Sequence, residues 1–319
     1  MIEIASFFNY ATITFCIALS SLGVAIGSSF SSIATIRAIH IQPSARNEIL
    51  KTSVIGMALI ETSAIIGLVI SIMLLMNKDI SVVNKFYWGL SNLGIAFSIA
   101  ISGFTIGLAS SYPVQYACLA IARQPFFNNK ILNLMLLTLS FIQTAVIFGF
   151  IIALLINSQA IYANSLTDSL RHIASGLSIG IGCIGPAIGL AYFAKSACSG
   201  IGINTKAYNK ILTFTFISEA LIETPIVFAL IISLILITNQ NSNLLVCLAM
   251  LFAAICVGIS NIMPGISSGK TAASACDEIA KSPEIYSLVT RTSMLAQGLI
   301  DSFAIYGFLI ALMLIFFVK

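Results

Sequence analysis

Four segments of this chain repeat one pattern, an apolar run of helical length with a single polar side chain near its centre. The central residues are Glu61, Gln143, Glu223 and Asp301, so the four copies recur at a nearly constant interval. The five residues 58–62 around Glu61 and the five residues 220–224 around Glu223 have the same sequence, Ala-Leu-Ile-Glu-Thr. A fixed period of this length indicates that one structural unit is repeated along the chain.

A polar turn precedes each central residue at one constant offset. The turn positions are Pro43, Pro125, Thr205 and Pro283, each eighteen positions before its central residue. Proline suits a turn and not a helix interior. Each repeat is therefore predicted to be a hairpin of two helices, with repeats at 1–78, 79–160, 161–240 and 241–319. The eight helices are expected at roughly 7–40, 48–76, 84–121, 130–157, 167–202, 207–238, 244–280 and 285–317.

The composition favours lipid over water as the surroundings of these helices. Hydrophobic residues make up 59% of the chain and charged residues 8%, whereas soluble domains carry about 25% charged residues. Several runs reach the ~20 residues that span a bilayer. We expect an all-α integral membrane protein that starts at Met1, because the first apolar run continues into a full helix without a secretory cleavage site. The seven cysteines form no CxxC pair, which favours simple packing.

Small residues recur on the first helix of each hairpin, at three positions that keep the same offsets from the turn in all four repeats. A spacing of four places them on one helix face, where they allow neighbouring backbones to approach closely in lipid. This pattern predicts a tightly packed inner circle of first helices. The small residues are Ser21, Ala25, Ser29, Gly103, Gly107, Ser111, Cys183, Ala187, Ala191, Asn261, Gly265 and Gly269.

The positive charges favour one orientation. Of fifteen Lys and Arg residues, eleven lie in the turn-side half of a hairpin, and four lie at the opposite ends: Lys78, Lys85, Arg171 and Lys319. By the positive-inside rule, the turns are predicted to be cytoplasmic and both termini to lie on the other side.

Acidic residues in the middle of apolar helices indicate function. Insertion of one costs about 2.5 to 3.5 kcal/mol, and the chain accepts this cost at Glu61, Glu223 and Asp301. A carboxyl in lipid is expected to be neutral, with a proton or a bound cation, and to ionise where water or a positive charge reaches it. Gln143 cannot ionise, which suggests a degenerate site. Glu219 is either an auxiliary ligand beside Glu223 or a residue without a transport role.

Together these features resemble the proteolipid c subunits that form the membrane rotor of F-type and V-type ATPases. The stretch from Ala122 to Pro125, Ala-Arg-Gln-Pro, is similar to the cytoplasmic loop motif of that family, and the acids at the constant offset from the turns are similar to its ion sites. The resemblance implies that Glu61, Glu223 and Asp301 carry ions around a ring. They would take each ion from one half-channel of a stator a-type subunit and release it near a stator arginine.

The resemblance also implies partners. They are further copies of the chain in a ring, central-stalk subunits of a soluble ATPase head, and membrane lipid, in a cell or inner membrane, with no nucleic acid. The chain itself would be non-catalytic and without a cofactor. It departs from the family in its four-hairpin fusion, in Gln143, and in a third turn without Arg-Gln-Pro. The implied head-contacting residues are Gln42, Pro43, Arg123, Gln124, Pro125, Lys281 and Pro283.

Protons are the first choice of transported ion and sodium the second. The family's sodium sites have a hydroxyl directly after the acid and a polar group on the first helix. A buried Thr can instead bond a carbonyl of its own helix, and no first helix has the glutamine of those sodium sites. The implied ion-binding hydroxyls are Thr62, Thr224, Ser302, Ser28 and Ser268, with Tyr306 as an auxiliary near Asp301.

Two other functions remain open from the residues alone. A secondary ion transporter also has repeats and acids in mid-membrane, but usually with inverted repeats and broken helices. A non-rotary, pore-forming proteolipid would need only one acid. Soluble catalysis is not indicated, because the chain has two histidines, His40 and His172, and no phosphate loop or nucleophile motif.

Overall fold

The computed structural model describes residues 2–77, 85–239 and 243–318, and within these ranges the chain folds into four helical hairpins. Hairpin 1 consists of α1 (Ile2–Ile41), α2 (Arg46–Ile60) and α3 (Thr62–Met76). Hairpin 2 consists of α4 (Lys85–Ala109), α5 (Ser111–Arg123) and α6 (Asn128–Ala160). Hairpin 3 consists of α7 (Leu166–Gly182), α8 (Ile184–Ile203) and α9 (Tyr208–Thr238), and hairpin 4 of α10 (Leu244–Lys281) and α11 (Tyr286–Phe317).

Eight helical spans in the described ranges are long and apolar enough to cross a membrane. The prediction of an all-α membrane protein made of four hairpins is confirmed. The predicted repeat boundaries near 78 and 240 lie outside the described residues. So do Lys78, Lys319 and the side chain of Lys85, on which part of the predicted orientation depends.

Three of the spans are interrupted by single residues that were not predicted: Glu61, Ser110 and Cys183. Ser110 and Cys183 each precede a proline by three positions, Pro113 and Pro186. A proline has no N–H to donate to the carbonyl four positions earlier, so one helix hydrogen bond is missing beside each of these interruptions. Pro225 and Pro264 lie inside helices that continue without interruption. Glu61 keeps helical dihedral angles, with φ −64° and ψ −20°, and its N–H still bonds to the Met57 carbonyl.

A short 3-10 turn joins the two helices of each hairpin. The turns are Pro43–Ala45, Pro125–Phe127, Thr205–Ala207 and Pro283–Ile285. Proline is favoured at the first position of a helix because its missing N–H is not needed there. The third turn lacks proline, and Asn204 stabilises it by accepting a hydrogen bond from the Lys206 N–H at 3.1 Å. The same geometry therefore arises without the Arg-Gln-Pro sequence.

The hairpins stand side by side in chain order. The first helices of the four hairpins form one row. In this row α1 packs on α4 and α5, α4 and α5 pack on α7 and α8, and α7 and α8 pack on α10. The second helices form another row, with α6 and α9 packed against the first helices of their own and the following hairpins. The first and last spans are the least buried, since they form the two edges of the row.

Glycines bring the first helices into backbone contact. A Cβ atom added to Gly27 would lie 2.2 Å from the Gly107 carbonyl oxygen, and one added to Gly189 would lie 2.1 Å from that of Gly265. Close packing at Gly107 and Gly265 was predicted and is confirmed. Their partners, Gly27 and Gly189, lie outside the predicted small-residue face. The contact therefore uses two different faces of adjacent helices.

Candidate ion-binding sites

The best-defined of the four sites surrounds Gln143, whose side chain is 9% exposed. Its amide nitrogen donates to the Leu59 carbonyl at 3.0 Å and to the Ser110 hydroxyl at 3.1 Å. Its amide oxygen accepts, at 2.9 Å, a hydrogen bond from the Thr62 hydroxyl, which shares its proton with the Leu59 carbonyl of its own helix at 2.7 Å. Ser110 belongs to the first helix of the same hairpin, whereas Leu59 and Thr62 belong to hairpin 1. The site is therefore built between two hairpins.

A related arrangement occurs one hairpin later. The Thr144 hydroxyl, which follows Gln143 in the chain, lies near the Glu223 carboxyl and donates to the Phe141 carbonyl of its own helix at 2.7 Å. Thus the hydroxyl after one central residue lies beside the central residue of the next hairpin. The sequence pattern had paired each hydroxyl with the acid directly before it in the chain. The structure instead places the Thr62 hydroxyl beside Gln143 of the next hairpin.

Access to the Gln143 site is from the row of second helices. A cavity of about 380 Å³ lies between hairpins 1 and 2 and borders Gln143 and Thr62. Its other lining residues are mostly apolar: Leu59, Ile66, Leu136, Leu139, Ser140, Val146 and Ile147. The Gln143 side chain is therefore accessible from the outer side of the second helices, where lipid or another protein can pack.

Asp301 is more enclosed than the other central acids. It is 6% exposed, and its Oδ1 atom has no hydrogen-bond partner among the described residues. Ser268, on the first helix of the same hairpin, is fully buried and its hydroxyl also has no partner there. Buried polar groups are rarely left unpaired. These two atoms are therefore available to a proton, an ion or a water molecule.

Glu61 differs because it lies at the edge of the row. Its side chain is exposed, and no earlier hairpin covers it. The hydroxyl of Ser28, on α1, is buried without a partner among the described residues. Glu223 lies inside the row and is partly buried. The exposure of an acid thus depends on whether a neighbouring hairpin lies on the side that completes its site.

The other predicted hydroxyls have different surroundings. Thr224 donates to the Ala220 carbonyl at 3.2 Å and Ser302 to the Leu299 carbonyl at 2.6 Å, both within their own helix. Tyr306 is 59% exposed, and its ring packs edge-on against Phe303. Within the chain, none of these three is brought to an acid by a hydrogen bond that involves the described residues.

One turn from the central acids, towards the polar turns, two buried polar residues occupy equivalent positions. Glu219 is fully buried, and neither of its carboxyl oxygens has a partner among the described residues. Gln297 is also fully buried and donates to the Ser293 hydroxyl at 3.0 Å. Gln297 was not predicted from the sequence, although it precedes Asp301 by the same spacing that separates Glu219 from Glu223.

Asn261 is a second residue whose role was not recognised in the sequence. It was grouped with the small residues, but its amide nitrogen donates to the Pro225 carbonyl at 2.6 Å. Pro225 lies inside α9, two positions after Glu223. The hydrogen bond therefore ties the helix of Glu223 to the first helix of hairpin 4.

The predicted head-contacting residues lie at the turn end of the hairpins. Arg123 and Lys281 are exposed, and Gln42 donates to the Ser44 hydroxyl at 2.9 Å. Phe126, beside Pro125, is fully exposed at 102%. The start of α9 is joined to the fourth turn, because Lys210 donates to the Pro283 carbonyl at 2.8 Å.

The described residues contain no cluster of three or more His, Cys, Asp or Glu side chains suited to a metal ion. The oxygens at the candidate sites come mainly from carboxyls, hydroxyls and one backbone carbonyl. Such groups suit a proton or a hard cation.

Comparison with known proteins accounts for this architecture. The family of ATP synthase C subunits matches residues 12–74, 93–156, 173–236 and 251–314, which together exceed half of the chain. Similar proteins include the ATP synthase c subunit of Dehalococcoides mccartyi, 39% identical over 70 residues, covering 22% of this chain and 92% of the relative. The ATP synthase c subunit of Chloroflexus aurantiacus is 32% identical over 69 residues, which cover 22% of this chain and 91% of the relative. That of Campylobacter curvus is 36% identical over 90 residues, which cover 27% of this chain and 90% of the relative.

Each of these relatives corresponds to about one hairpin, and the family matches four times in tandem. The relatives are non-catalytic membrane subunits, in agreement with the expectation that this chain is not itself an enzyme. The chain therefore belongs to the family of ATP synthase C subunits, as a fusion of four c-type hairpins.

Proposed function

We propose that this chain is a rotor-ring subunit that translocates protons by reversible protonation of Glu61, Glu223 and Asp301. The observation that carries the proposal is the hydrogen-bonded site at Gln143, which is built from two adjacent hairpins. A neutral amide is held there by three hydrogen bonds. A protonated carboxyl at the equivalent position could be held in a similar way while it faces lipid.

Protons are favoured over sodium by the small number of oxygen atoms near the acids. A hard cation is bound by several oxygen ligands at once. On the first helix facing Glu223, the position equivalent to Ser110 is Leu190, which is fully buried and apolar. Thr224 and Ser302 bond to carbonyls of their own helices. Sodium remains the second candidate, because the Gln143 site does gather two hydroxyls and a carbonyl.

The proposal includes the family's partners. Further copies of the chain would close the ring, a stator subunit with an arginine would exchange the ions, and central-stalk subunits of the ATPase head would contact the turns. We place the turns on the cytoplasmic side, because most Lys and Arg residues lie at that end. With Gln143 in one hairpin of four, fewer ions cross per turn, which favours pumping by ATP hydrolysis over synthesis.

The test is chemical labelling of the assembled complex in membrane vesicles with a hydrophobic carbodiimide. Label is expected at Glu61, Glu223 or Asp301, together with loss of ATP-driven ion transport. Glu48 and Glu284, near the turns, provide the matched controls, because their change to Gln should leave transport intact. Replacement of all three central acids by Gln should abolish transport. Transport that survives this triple change would refute the proposal.

A further inference from the structure

A polar cavity lies where hairpins 2 and 3 are joined, at the end opposite the turns. It has a volume of about 430 Å³, which is in the range of small-ligand sites. It lies between the end of α6 at Ala160 and the start of α7 at Leu166. The lining residues are Gln159, Tyr162, Ala163, Asp168, Arg171 and His172.

Two basic side chains are buried at this cavity with unused hydrogen-bonding capacity. His172 is 1% exposed, and neither ring nitrogen has a partner among the described residues. Arg171 is 6% exposed, and its Nε atom also has no partner there. Unpaired buried polar groups destabilise a fold. Three such nitrogens at one cavity therefore indicate that something else binds them.

The acidic side chain at the cavity is, in contrast, already engaged. Asp168 Oδ1 lies 3.2 Å from Arg171 Nη2, and its Oδ2 accepts from the Ser165 hydroxyl at 2.7 Å and from the Asn164 N–H at 3.2 Å. A second Arg171 nitrogen, Nη1, donates to the Asn239 carbonyl. The unmet donors of the cavity are therefore the Arg171 Nε–H and an N–H of the His172 ring, which suit the acceptor oxygens of a ligand; the second ring nitrogen donates as well only when the imidazole is protonated.

The proposed ion transport does not account for these residues. The family matches residues 93–156 and 173–236, and all six lining residues fall in the interval between the two matches. The cavity is formed within one chain, by the connection of two hairpins. It therefore does not depend on how copies assemble or on which ion the acids carry.

We propose that this cavity binds a phosphate group, with Arg171 and His172 donating hydrogen bonds to its oxygens. Arginine is well suited to phosphate because its planar guanidinium presents several donors in a fixed geometry. Asp168 offsets the charge of Arg171, which favours a phosphodiester with one negative charge over a dianion.

The position of the cavity indicates where the phosphate group can come from. It lies at the end of two membrane spans, and Tyr162 at its rim is 78% exposed. Tyrosine is enriched where membrane meets water. A phospholipid headgroup and free phosphate from the solvent share the chemistry that the cavity recognises, and the experiment separates them.

The experiment measures ligand retention by the delipidated full-length protein in detergent with native mass spectrometry. The probes are phosphatidylglycerol, a diacylglycerol with the same acyl chains but no phosphate, and inorganic phosphate. His172→Phe removes both ring nitrogens and is expected to weaken binding of the phosphate-bearing probe about tenfold. The matched control is His40→Phe, since His40 lies at the turn end and its loss should change binding less than twofold.

Asp168→Asn is the second variant, because it removes one negative charge at the cavity and leaves the buried histidine in place. It is expected to strengthen retention of the anionic probes severalfold. Circular dichroism checks that each variant keeps its helices, and Asp168→Asn decides the outcome if His172→Phe does not fold.

The probes distinguish the two sources. Retention of phosphatidylglycerol but not of diacylglycerol supports a lipid headgroup, and binding of inorganic phosphate alone supports a free anion. The proposal is overturned if no phosphate-bearing probe binds. It is also overturned if folded His172→Phe binds the probe as well as His40→Phe does, or if Asp168→Asn leaves retention unchanged.

Discussion

Thr62 of hairpin 1 donates a hydrogen bond to the amide oxygen of Gln143 of hairpin 2 at 2.9 Å. The two residues lie far apart in the chain but on adjacent second helices. The contact shows that the central residue of one hairpin is completed by a hydroxyl from the hairpin before it.

Gln143→Glu is expected to create a fourth exchangeable site. The surrounding groups, on Leu59, Thr62 and Ser110, already bind the side chain at this position. Mass spectrometry should locate carbodiimide label at position 143, and ions transported per ATP should rise in the ratio of four to three if all sites act alike. An unlabelled position 143 in a folded, active complex would contradict this prediction.

Thr62→Val should weaken the contact between hairpins 1 and 2. Loss of one hydrogen bond to a buried amide is expected to lower the free energy of unfolding by about 1 kcal/mol. Both threonines have a hydroxyl that bonds a carbonyl of its own helix, but the Thr62 hydroxyl also reaches the Gln143 amide. Thr224→Val is therefore the matched control, and its effect should be smaller. Thermal unfolding of the two purified variants would compare them, and equal effects would argue against a contact between hairpins.

Gly189→Ala should separate the first helices of hairpins 3 and 4. The added Cβ would lie 2.1 Å from the Gly265 carbonyl oxygen, a backbone atom that cannot move aside alone. Overpacking of this kind costs about 1 to 3 kcal/mol. Gly298→Ala provides the control, because nothing lies within 4 Å of its added Cβ, and alanine there should stabilise the helix by up to about 1 kcal/mol. Thermal unfolding in detergent measures both changes, and equal shifts would contradict the close contact.

Glu219→Gln is expected to leave ion exchange nearly unchanged. Glu219 is fully buried without a partner among the described residues, so it should remain neutral, and glutamine is neutral and of similar shape. Carbodiimide labelling of Glu223 should change less than twofold, whereas Glu223→Gln should remove the label. A large loss of labelling in Glu219→Gln would instead assign it an auxiliary role at the site.

A cross-linking experiment can test how copies meet in a ring. Ser302 and Glu61 lie on the second helices of hairpins 4 and 1, at opposite edges of the row, and they match Thr62 and Gln143 in position. The double variant Glu61→Cys with Ser302→Cys should therefore cross-link between copies on oxidation and give a ladder of oligomers on a gel. Thr62→Cys with Gln143→Cys should cross-link within one chain. A ladder from the second pair alone, or from the unsubstituted chain, would count against this arrangement.

The hairpin architecture could be predicted from the sequence because its causes are local. Apolar length determines which segments can span a bilayer, and the polar turns determine where each helix pair reverses direction. The repeated spacing of the central residues is a property of the covalent chain. The interruptions at Ser110 and Cys183 were not predicted. Each lies three positions before a proline, but Pro225 and Pro264 lie inside continuous helices, so a proline alone does not decide where a helix is interrupted.

The contents of the sites depend on which helices become neighbours, and the tertiary structure alone decides this. Thr62 is adjacent to Glu61 in the chain, and only helix packing places its hydroxyl at the Gln143 amide. The exposure of Glu61 and the burial of Asp301 likewise follow from how each hairpin is covered by its neighbours. Hydrogen bonds act over about 3 Å, so a pattern along the chain can indicate which residues are functional but not which atoms they meet.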